Sequence, residues 1–535
     1  MVATPIGIGI DLGSSSVRVG IYSLHDDSLL GVFSKPVPYY YESNRTSLWE
    51  YTQDSAEILT AIKECFDMAD LQKYDVKSCG VAATCSLVLC ERSGDDTFQH
   101  CEGDSRNVVF WMDSMAKEET NSLNARCPQD ILGHMGGGFI PEMGIPKLSR
   151  FLKSISDEPK GNIQWEVFDL HKYVAYKLAQ EYCWNTERLS NHPNSNGIGH
   201  DGELAGWSKS FYDKIVRLPP NVTIGCPKTI ENEDSLVIVD SCIDCYSSWF
   251  SPLQSLNKNT LFLVAGTSTC YIYSPGTMKT ETSVKGIWGP FTDILGANKV
   301  VYESGSSCSG KLIEHLFTSH PSAISLNLST GQLISKLEEE INIWETQNAT
   351  SIHFEACNNF LYGDLDGNRT PFGDPYMRGM FIGESPDTSF RDLLVKYVCI
   401  LECLAFQTKL MVDNFEKLNS INELFICGSQ AKNTRLLKLI SLINDNALIL
   451  VPKEKEDLMG VEGAYLLGKA GYLGTSVDLV PVSEPREYIS VKYTNDSDKI
   501  QQTKLYKLLL TKYIIHLEMA EQQQRFRKMV SKALV

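Results

Sequence analysis

Two strand–turn–strand segments of similar composition lie about half a chain apart. The first reads PIGIGIDLGSSSVRVGIYSL from residue 5, and the second reads NTLFLVAGTSTCYIYSP over residues 259–275. In each segment an apolar run ends in a turn of glycine with serine or threonine, and a second apolar run follows. The repetition predicts an internal duplication. Helical patterns alternate with short apolar strands between and after these segments, which predicts a two-domain α/β protein.

The turns that follow three of the apolar runs are suited to binding a phosphate group. They read DLGSSSVR from Asp11, GTST from Gly266 and ICGSQAKN over residues 426–433. Such turns present several N–H and O–H donors to one anion, and a carboxylate such as that of Asp11 suits a hydrated Mg²⁺. Taken alone, DLGSSSVR is better interpreted as an ordinary Gly-Ser hairpin turn with Asp11 as its polar cap. The three together favour a nucleotide clamp.

Residues 305–312, GSSCSGKL, differ at one position from the P-loop pattern G-x-x-x-x-G-K-[ST]. Leu312 stands where the pattern requires a hydroxyl for Mg²⁺, and a leucine side chain cannot coordinate a metal. The preceding ANKVVYES is typical of a strand, so the context alone does not exclude a P-loop. We predict instead a helix that begins at Gly310 and allows a ligand or phosphate to approach its backbone closely.

Length and charge narrow the classes of function. A chain of 535 residues is too long for one core, so two domains are expected and a third is left open. The net charge of −17 disfavours binding to nucleic acid or to an anionic membrane surface. We find no apolar run long enough for a transmembrane helix, and the first residues lack the features of a signal peptide.

The 16 cysteines are scattered, mostly within apolar runs. This distribution favours buried free thiols in a reducing compartment, and therefore a cytoplasmic location, over disulfides or zinc ligands. One C-x-x-C pair occurs, Cys242 and Cys245, but no second pair or histidine spacing completes a zinc set. We interpret this pair as coincidental.

Several longer segments carry secondary-structure predictions. TQDSAEILTAIKECFDMA is a predicted helix, KSCGVAATCSLVLCER is a predicted buried strand, and DLMGVEGAYLLGKAGYLG is a predicted helix whose small residues allow close packing. The tail after residue 475 ends in an amphipathic pattern. We predict a capping helix there rather than a coiled coil, because the apolar spacing is not sustained over enough heptads.

Over essentially its whole length, the chain resembles the FGGY family of carbohydrate kinases. The matching stretches include GIDLGSSSVRVGIYS, VVFWMDSMA, YESGSSCSGKLIEHLF, LFICGSQAKN and GVEGAYLLG. Within the family it most resembles the D-ribulose (pentulose) kinase branch, chiefly in ATCSLV, PEMGIPKL and GNRTPFGDPYMRGM. The resemblance implies two actin-like (ribonuclease-H-like) α/β ATPase domains with a ligand cleft between them. Residues 1–258 would bind the sugar, residues 259–475 would bind the nucleotide, and residues 476–535 would form a C-terminal extension.

The activity that this resemblance implies is phosphorylation of a ketopentose, most of all D-ribulose to D-ribulose 5-phosphate, with ATP and Mg²⁺. A kinase for xylulose, L-ribulose or another polyol is the nearest alternative. A sugar-binding regulatory protein with impaired turnover is a second alternative, and an actin-like ATPase without a sugar substrate is a weaker one. The only partners implied are the small-molecule substrates, and a homodimer is left open.

The resemblance also implies roles for individual residues. Asp244 would be the catalytic base, and Asp11 would orient Mg²⁺ through water. The sugar would contact Thr84, Cys85, Trp111, Asp113 and Asp244. The nucleotide would contact Gly13, Ser14, Ser15, Ser16, Arg18, Gly266, Thr267, Ser268, Gly310, Gly428, Ser429 and Asn433. From the residues alone, Asp113 is equally a capping aspartate, and Glu142 is either structural or part of the sugar cleft.

Three departures from the family pattern bear on activity. Ser114 and Met115 stand where the family usually has histidine and arginine, which either removes a basic side chain near the sugar or weakens a structural ion pair. Tyr246 and Trp249 follow Asp244 where small residues are usual, so they either narrow the cleft or pack beneath it. Ser429 replaces a glycine of the adenosine loop. None of these changes removes Asp11 or Asp244.

Overall fold

The computed structural model describes residues 3–534 apart from residues 43–47, 93–97, 100–105, 158–162, 187–194, 200–206, 226–229, 231, 233–234, 278–282, 293, 296–298, 455, 484–485 and 494–498. Its strands are β1 (Thr4–Leu12), β2 (Ser16–Ser23), β3 (Leu29–Pro36), β4 (Tyr40–Tyr41), β5 (Tyr51–Gln53), β6 (Tyr74–Ala83), β7 (Leu87–Arg92), β8 (Phe98–Gln99), β9 (Val108–Val109), β10 (Gln164–Asp169), β11 (Val222–Ile224), β12 (Ile238–Ile243), β13 (Thr260–Ala265), β14 (Thr269–Thr277), β15 (Trp288–Thr292), β16 (Lys299–Ser306), β17 (Phe360–Tyr362), β18 (Met380–Ile382), β19 (Glu423–Cys427), β20 (Leu448–Pro452) and β21 (Tyr488–Val491).

The α-helices of the described residues are α1 (Ser55–Ala69), α2 (Lys117–Arg126), α3 (Gln129–His134), α4 (Gly144–Asp157), α5 (Leu170–Tyr182), α6 (Lys209–Phe211), α7 (Asp244–Phe250), α8 (Gly310–Ser319), α9 (Pro321–Leu326), α10 (Thr330–Asn348), α11 (Phe390–Phe415), α12 (Thr434–Ile443), α13 (Met459–Leu473) and α14 (Lys499–Ala533).

Two sheets repeat one topology. The first has the strand order β12-β6-β1-β2-β3, and the second contains the order β20-β19-β13-β14-β16. In both, the first three of these strands run parallel and the remaining pairings are antiparallel. The two predicted strand–turn–strand segments are β1–β2 and β13–β14, at equivalent places in the two sheets. The internal duplication is confirmed.

The glycine–isoleucine alternation of β1 places different residues on its two faces, because successive side chains of a strand point to opposite sides. Ile6, Ile8 and Ile10 are fully buried in a core that includes residues of α1 and α5. The intervening glycines leave room for α13 on the other face. A Cβ atom on Gly9 would lie 2.1 Å from the carbonyl oxygen of Val461, so only glycine permits this approach.

Helices α7 and α13 follow equivalent strands, β12 and β20, and pack against each other between the two sheets. A Cβ atom on Gly463 would lie 1.7 Å from the carbonyl oxygen of Ser247, and the Ser247 hydroxyl donates to the carbonyl of Gly460 at 2.5 Å. Tyr465 of α13 shares one apolar core with Phe425 of the second sheet. The prediction of a closely packed small-residue helix is confirmed.

The segment KSCGVAATCSLVLCER does not form the single strand that its sequence predicts. It forms β6 and β7, separated by a turn at residues 84–86. The amide of Ser86 donates to the carbonyl of Thr84 at 2.7 Å, which closes the turn. The break occurs because the two strands belong to different sheets, β6 to the first and β7 to a further sheet of order β11-β10-β7-β9-β5-β4.

Helix α14 packs on the second half of the chain, as the capping prediction requires. Leu505 and Leu509 are each 1% exposed and join the core that contains α11 and α12. Lys512 is buried beside them and donates to the carbonyl of Ala356 at 2.9 Å and to the carboxylate of Glu402. In the described part of the chain, every helix is too short or too polar to cross a bilayer.

The predicted boundary between residues 258 and 259 falls in the connection between the two sheets, after α7 ends at Phe250 and before β13 begins at Thr260. The division into a sugar-binding and a nucleotide-binding domain stays a proposal.

Candidate active site

Three strands of the first sheet end side by side. Leu12 at the end of β1 pairs with Ala83 at the end of β6, which pairs in turn with Ile243 at the end of β12. Ligands of open α/β sheets bind at the carboxyl ends of the strands. The groups that leave these ends are the Gly13–Ser16 turn, the Thr84–Cys85 turn and Asp244. The fold therefore brings together groups that lie far apart in the sequence.

Asp11 lies next to the end of β1, opposite Arg18 of β2. Its side chain is 14% exposed, and one carboxylate oxygen lies 3.6 Å from Nη1 of Arg18. Burial raises the pKa of Asp11, and the nearby guanidinium opposes that rise. The carboxylate is thus held in a partly dry environment with one cation close to it.

The first of the three predicted phosphate-binding turns, residues 13–16, is closed by a backbone hydrogen bond and accepts a second one from an aromatic side chain. The amide of Gly13 donates to the carbonyl of Ser16 at 3.0 Å, and Ser15 is exposed. The indole Nε1–H of Trp111 donates to the Ser14 hydroxyl at 3.0 Å. This bond links the turn predicted to bind phosphate with the tryptophan predicted to bind sugar.

Asp244 is the first residue of α7 and is partly buried. The amide of Cys245 donates to its Oδ1 at 2.8 Å. Burial, with the negative charge of Asp11 as a second cause, raises the pKa of Asp244 to about 7. A carboxylate that titrates near neutrality is well matched to accepting a proton at physiological pH.

Thr84 and Cys85 form the turn between β6 and β7. The amide of Thr84 donates to the carbonyl of Leu12 at 3.2 Å, and its hydroxyl lies 3.0 Å from that of Ser86. Burial raises the pKa of Cys85 to about 12, and the Asp244 carboxylate adds to the rise. The thiol is therefore neutral and lies within electrostatic reach of Asp244.

Asp113 caps backbone amides. It is fully buried, and Oδ2 accepts from the amides of Glu50 at 2.7 Å and Tyr51 at 3.2 Å. Oδ1 accepts from the amide of Met115 at 3.0 Å. The carboxylate therefore satisfies three backbone N–H groups and ties residues 50–51 to residues 113–115. These bonds support the capping role that the sequence left open for Asp113, and the sugar contact stays a prediction.

Two basic residues beside Trp111 were missed by sequence reasoning. The amine of Lys147 is buried and donates to the carbonyls of Phe110 at 2.9 Å and Trp111 at 3.0 Å. Burial lowers the pKa of Lys147 to about 8. The guanidinium of Arg369 lies over the Trp111 ring, 5.2 Å from its centroid. Both residues could have been found from the sequence, because Lys147 lies in PEMGIPKL and Arg369 in GNRTPFGDPYMRGM. These two stretches carried the resemblance to the pentulose kinases.

The second of these turns, residues 266–268, is held by the segment that resembles a P-loop, residues 305–312. Helix α8 begins at Gly310, as predicted, but its first amides do not face an open site. The amides of Ser309 and Gly310 donate to the carbonyls of Thr267 and Gly266, each at 3.0 Å. A Cβ atom on Gly310 would lie 2.8 Å from the Gly266 carbonyl oxygen. Glycine is needed there for contact with the second turn, so GSSCSGKL supports that turn.

The third of these turns, residues 428–433, lies beside a cavity of about 670 Å³ that Asn433 lines in part. Gly428 has a φ of +89°, a conformation that favours glycine, and Ser429 is exposed. The side chain of Gln430 donates to the carbonyl of Gly266 at 3.1 Å, which connects the second and third turns. Asn433 caps α12 and donates to the Tyr397 hydroxyl at 2.8 Å.

The aromatic residues after Asp244 pack beneath the site. Tyr246 is fully buried, and Trp249 is 3% exposed. The Tyr246 hydroxyl donates to the carboxylate of Glu303 on β16, and the Ser195 hydroxyl donates to the same carboxylate at 2.7 Å. Burial raises the pKa of Glu303 to about 7. Through Glu303, these residues tie α7 to β16 of the second sheet.

Comparisons with known proteins agree with this arrangement. The model for the C-terminal domain of the FGGY family of carbohydrate kinases matches residues 261–464. The chain belongs to the FGGY family of carbohydrate kinases. The matched segment contains the second and third turns, and FGGY kinases use ATP.

Individual proteins and a solved structure extend the similarity to nearly the whole chain. Protein MPA43 of Saccharomyces cerevisiae is 46% identical, with 98% of each chain covered. D-ribulokinase YDR109C of the same yeast is 28% identical over 93% of this chain and 74% of its own. The crystal structure of a xyloylose kinase from Brucella ovis superposes with a TM-score of 0.71 at 17% identity, covering 97% of this chain and all of the other. The fold is therefore the two-domain actin-like ATPase fold.

Proposed function

We propose that this FGGY protein transfers the γ-phosphoryl group of ATP to a ketopentose, with D-ribulose as the first candidate. The observation that carries the proposal is the meeting of Asp11, the Thr84–Cys85 turn and Asp244 at adjacent strand ends of one sheet. The 28% identity to a D-ribulokinase supports the choice of D-ribulose. Xylulose, L-ribulose and other polyols are the alternative acceptors.

In the proposed reaction Asp244 acts as the general base. Its carboxylate accepts the proton of a sugar hydroxyl while that oxygen forms a bond to the γ-phosphorus. The bond between the γ-phosphorus and the bridging oxygen to the β-phosphate breaks, and ADP leaves. A pKa of about 7 lets Asp244 exist as the base in the free protein and hold the proton after transfer.

The nucleotide would lie along the three turns. The backbone and hydroxyl groups of the Gly13–Ser16 turn, with Arg18, would face the phosphates from the first half. The turn of Gly266, Thr267 and Ser268 would face them from the second half. Gly428, Ser429 and Asn433 would lie on the adenosine side, beside the cavity that Asn433 lines. Gly310 would act indirectly by holding the second turn.

The residues around Asp11 fit a magnesium ion bound with the nucleotide. Mg²⁺ in phosphoryl-transfer sites takes one or two carboxylates, with water and substrate phosphates as its other ligands. Asp11 and Asp244 supply two carboxylates close enough for one to raise the pKa of the other. Asp11 would hold the ion through water, and the ion would neutralise charge on the phosphates.

The proposal is tested by ADP release in a coupled assay across ketopentoses, tetritols, glycerol and gluconate. D-Ribulose is expected to give the highest kcat/KM. Calorimetry on the same panel separates catalysis from binding, so tight sugar binding without phosphoryl transfer would favour the regulatory alternative. If no polyol stimulates ADP release, the kinase proposal is wrong.

A further inference from the structure

Arg369 reaches from one half of the chain to the other. It belongs to the segment between β17 and β18, which is anchored by the Thr370 hydroxyl donating to the carbonyl of Gly305 at 2.7 Å. Its guanidinium lies over the indole of Trp111, which follows β9 in the N-terminal half. The side chain therefore joins the two halves at Trp111, where the resemblance puts the sugar.

The Nε–H of Arg369 is buried without an acceptor. Within the part of the chain that the structure describes, its buried Nε–H has no hydrogen-bond partner. The nearest carboxylate oxygen, on Glu142, lies 3.9 Å from Nε, beyond hydrogen-bond distance. The Arg369 and Glu142 side chains are only 11% and 10% exposed. A buried donor without an acceptor is costly, and a ligand oxygen between the two groups would satisfy it.

The neighbouring charged groups leave the binding of a ligand oxygen to Arg369. The amine of Lys147 already donates to two backbone carbonyls. Arg369 and Asp244 both act electrostatically on the pKa of the Cys85 thiol. Met115 stands where the family usually has an arginine. Arg369 supplies a guanidinium to the sugar side from the opposite half of the chain.

We propose that Arg369 is a specificity-determining residue that binds sugar oxygens. Its Nε–H and a terminal N–H donate to neighbouring hydroxyl or carbonyl oxygens, and Glu142 accepts from an adjacent sugar hydroxyl. The inference rests on the proposed function, because the ligand is the sugar of that reaction. The charges of Arg369 and Glu142 cancel, so the pair favours a neutral polyol over a sugar acid.

The test compares Arg369→Met with the matched control Arg378→Met. Arg378 lies in the same segment but donates to the carbonyls of Pro375 at 2.9 Å and Met377 at 2.6 Å. Arg369→Met is expected to weaken sugar binding about 10–100-fold, the usual effect of losing hydrogen bonds to a charged group, with the KM for ATP little changed. Arg369→Lys is expected to recover little, since lysine lacks the planar fork of donors. Arg378→Met is expected to bind sugar normally.

A conservative second variant and a second readout exclude a merely structural effect. Glu142→Gln keeps the size of the side chain and is expected to narrow the difference in KM between D-ribulose and its epimers. Wild-type sugar affinity in Arg369→Met overturns the inference. An equal loss of ATP and sugar affinity in that variant, with a lowered thermal midpoint, also overturns it. Tighter binding of gluconate than of D-ribulose by the wild type overturns the preference for neutral sugars.

Sugar affinity measured by calorimetry without ATP does not depend on turnover, so the two proposals fail separately. If the wild-type protein binds D-ribulose but transfers no phosphoryl group, the kinase proposal fails and the affinity of Arg369→Met still decides the role of Arg369. If the wild-type protein binds none of the sugars, both proposals fail.

Discussion

The carboxylate of Asp11 lies directly against Gly460, the second residue of α13. A Cβ atom on Gly460 would come within 2.7 Å of the carboxylate carbon of Asp11. The position of the proposed magnesium-orienting carboxylate therefore depends on a glycine that is 449 positions away (460 − 11) in the sequence. The N-terminal end of α13 also favours a negative charge there.

Gly460→Ala is expected to displace the Asp11 carboxylate and lower turnover on the order of 10–100-fold, since small misplacements in an active site carry costs of this size. Alanine favours a helix, so the fold is expected to persist. Steady-state kinetics over a magnesium titration measure the effect. The control is Gly331→Ala in α10, where a Cβ atom would meet nothing within 4 Å. Equal activity in the two variants would contradict this account of Gly460.

Asp244→Asn is expected to lower kcat roughly 10²–10⁴-fold, the usual contribution of a general base, while the affinity for ATP changes little. The same variant is expected to be more stable than the wild type at pH 8. Its amide replaces a carboxylate whose pKa of about 7 shows that burial disfavours the charged form. Kinetics, nucleotide binding and thermal midpoints measure the three quantities. Near-normal turnover would remove Asp244 from the role of base.

Glu303 is expected to make stability fall as pH rises. Burial raises its pKa from 4.5 to about 7, so between these pH values the unfolded chain releases a proton that the folded protein keeps. The free energy of unfolding then falls by roughly 1–3 kcal/mol between pH 4.5 and 7. Glu303 lowers it no further above pH 7. Glu303→Gln is expected to remove this loss, and Glu339→Gln, at an exposed position, is the control. Thermal midpoints at pH 5 and pH 8 measure it. An identical pH response in Glu303→Gln and wild type would refute the prediction.

Lys512→Met is expected to destabilise the docking of α14. Its amine and the Glu402 carboxylate are 3% and 2% exposed, so the substitution removes the buried cation from this carboxylate, which retains His353 Nδ1 at 2.7 Å. Breaking such a pair costs about 3–5 kcal/mol. The exposed Lys507, in the same helix, gives the control Lys507→Met, for which a change within about 0.5 kcal/mol is expected. Chemical denaturation followed by helical signal measures both, and similar midpoints for the two variants would show that the pair does not hold the helix.

Local patterns in the sequence were sufficient to predict the architecture. The repeated apolar-run and glycine–hydroxyl turn became two sheets of one topology, because alternation along a strand fixes which face is buried. The small residues of GVEGAYLLG predicted the close packing of α13, since only such residues let a helix backbone approach a strand. Gly310 began a helix as expected. The KSCGVAATCSLVLCER prediction failed because an apolar run does not reveal where a chain passes from one sheet to another.

The sequence by itself determined the duplicated α/β fold, the position of its turns and, through its resemblance to a family, the candidate carboxylates. Only the tertiary structure decided that Asp113 caps backbone amides, that the GSSCSGKL amides support the second turn, and that Arg369 lies over Trp111. Each of these outcomes depends on contacts between residues far apart along the chain. Such contacts follow from how the two halves pack, and neither periodicity nor composition records that packing.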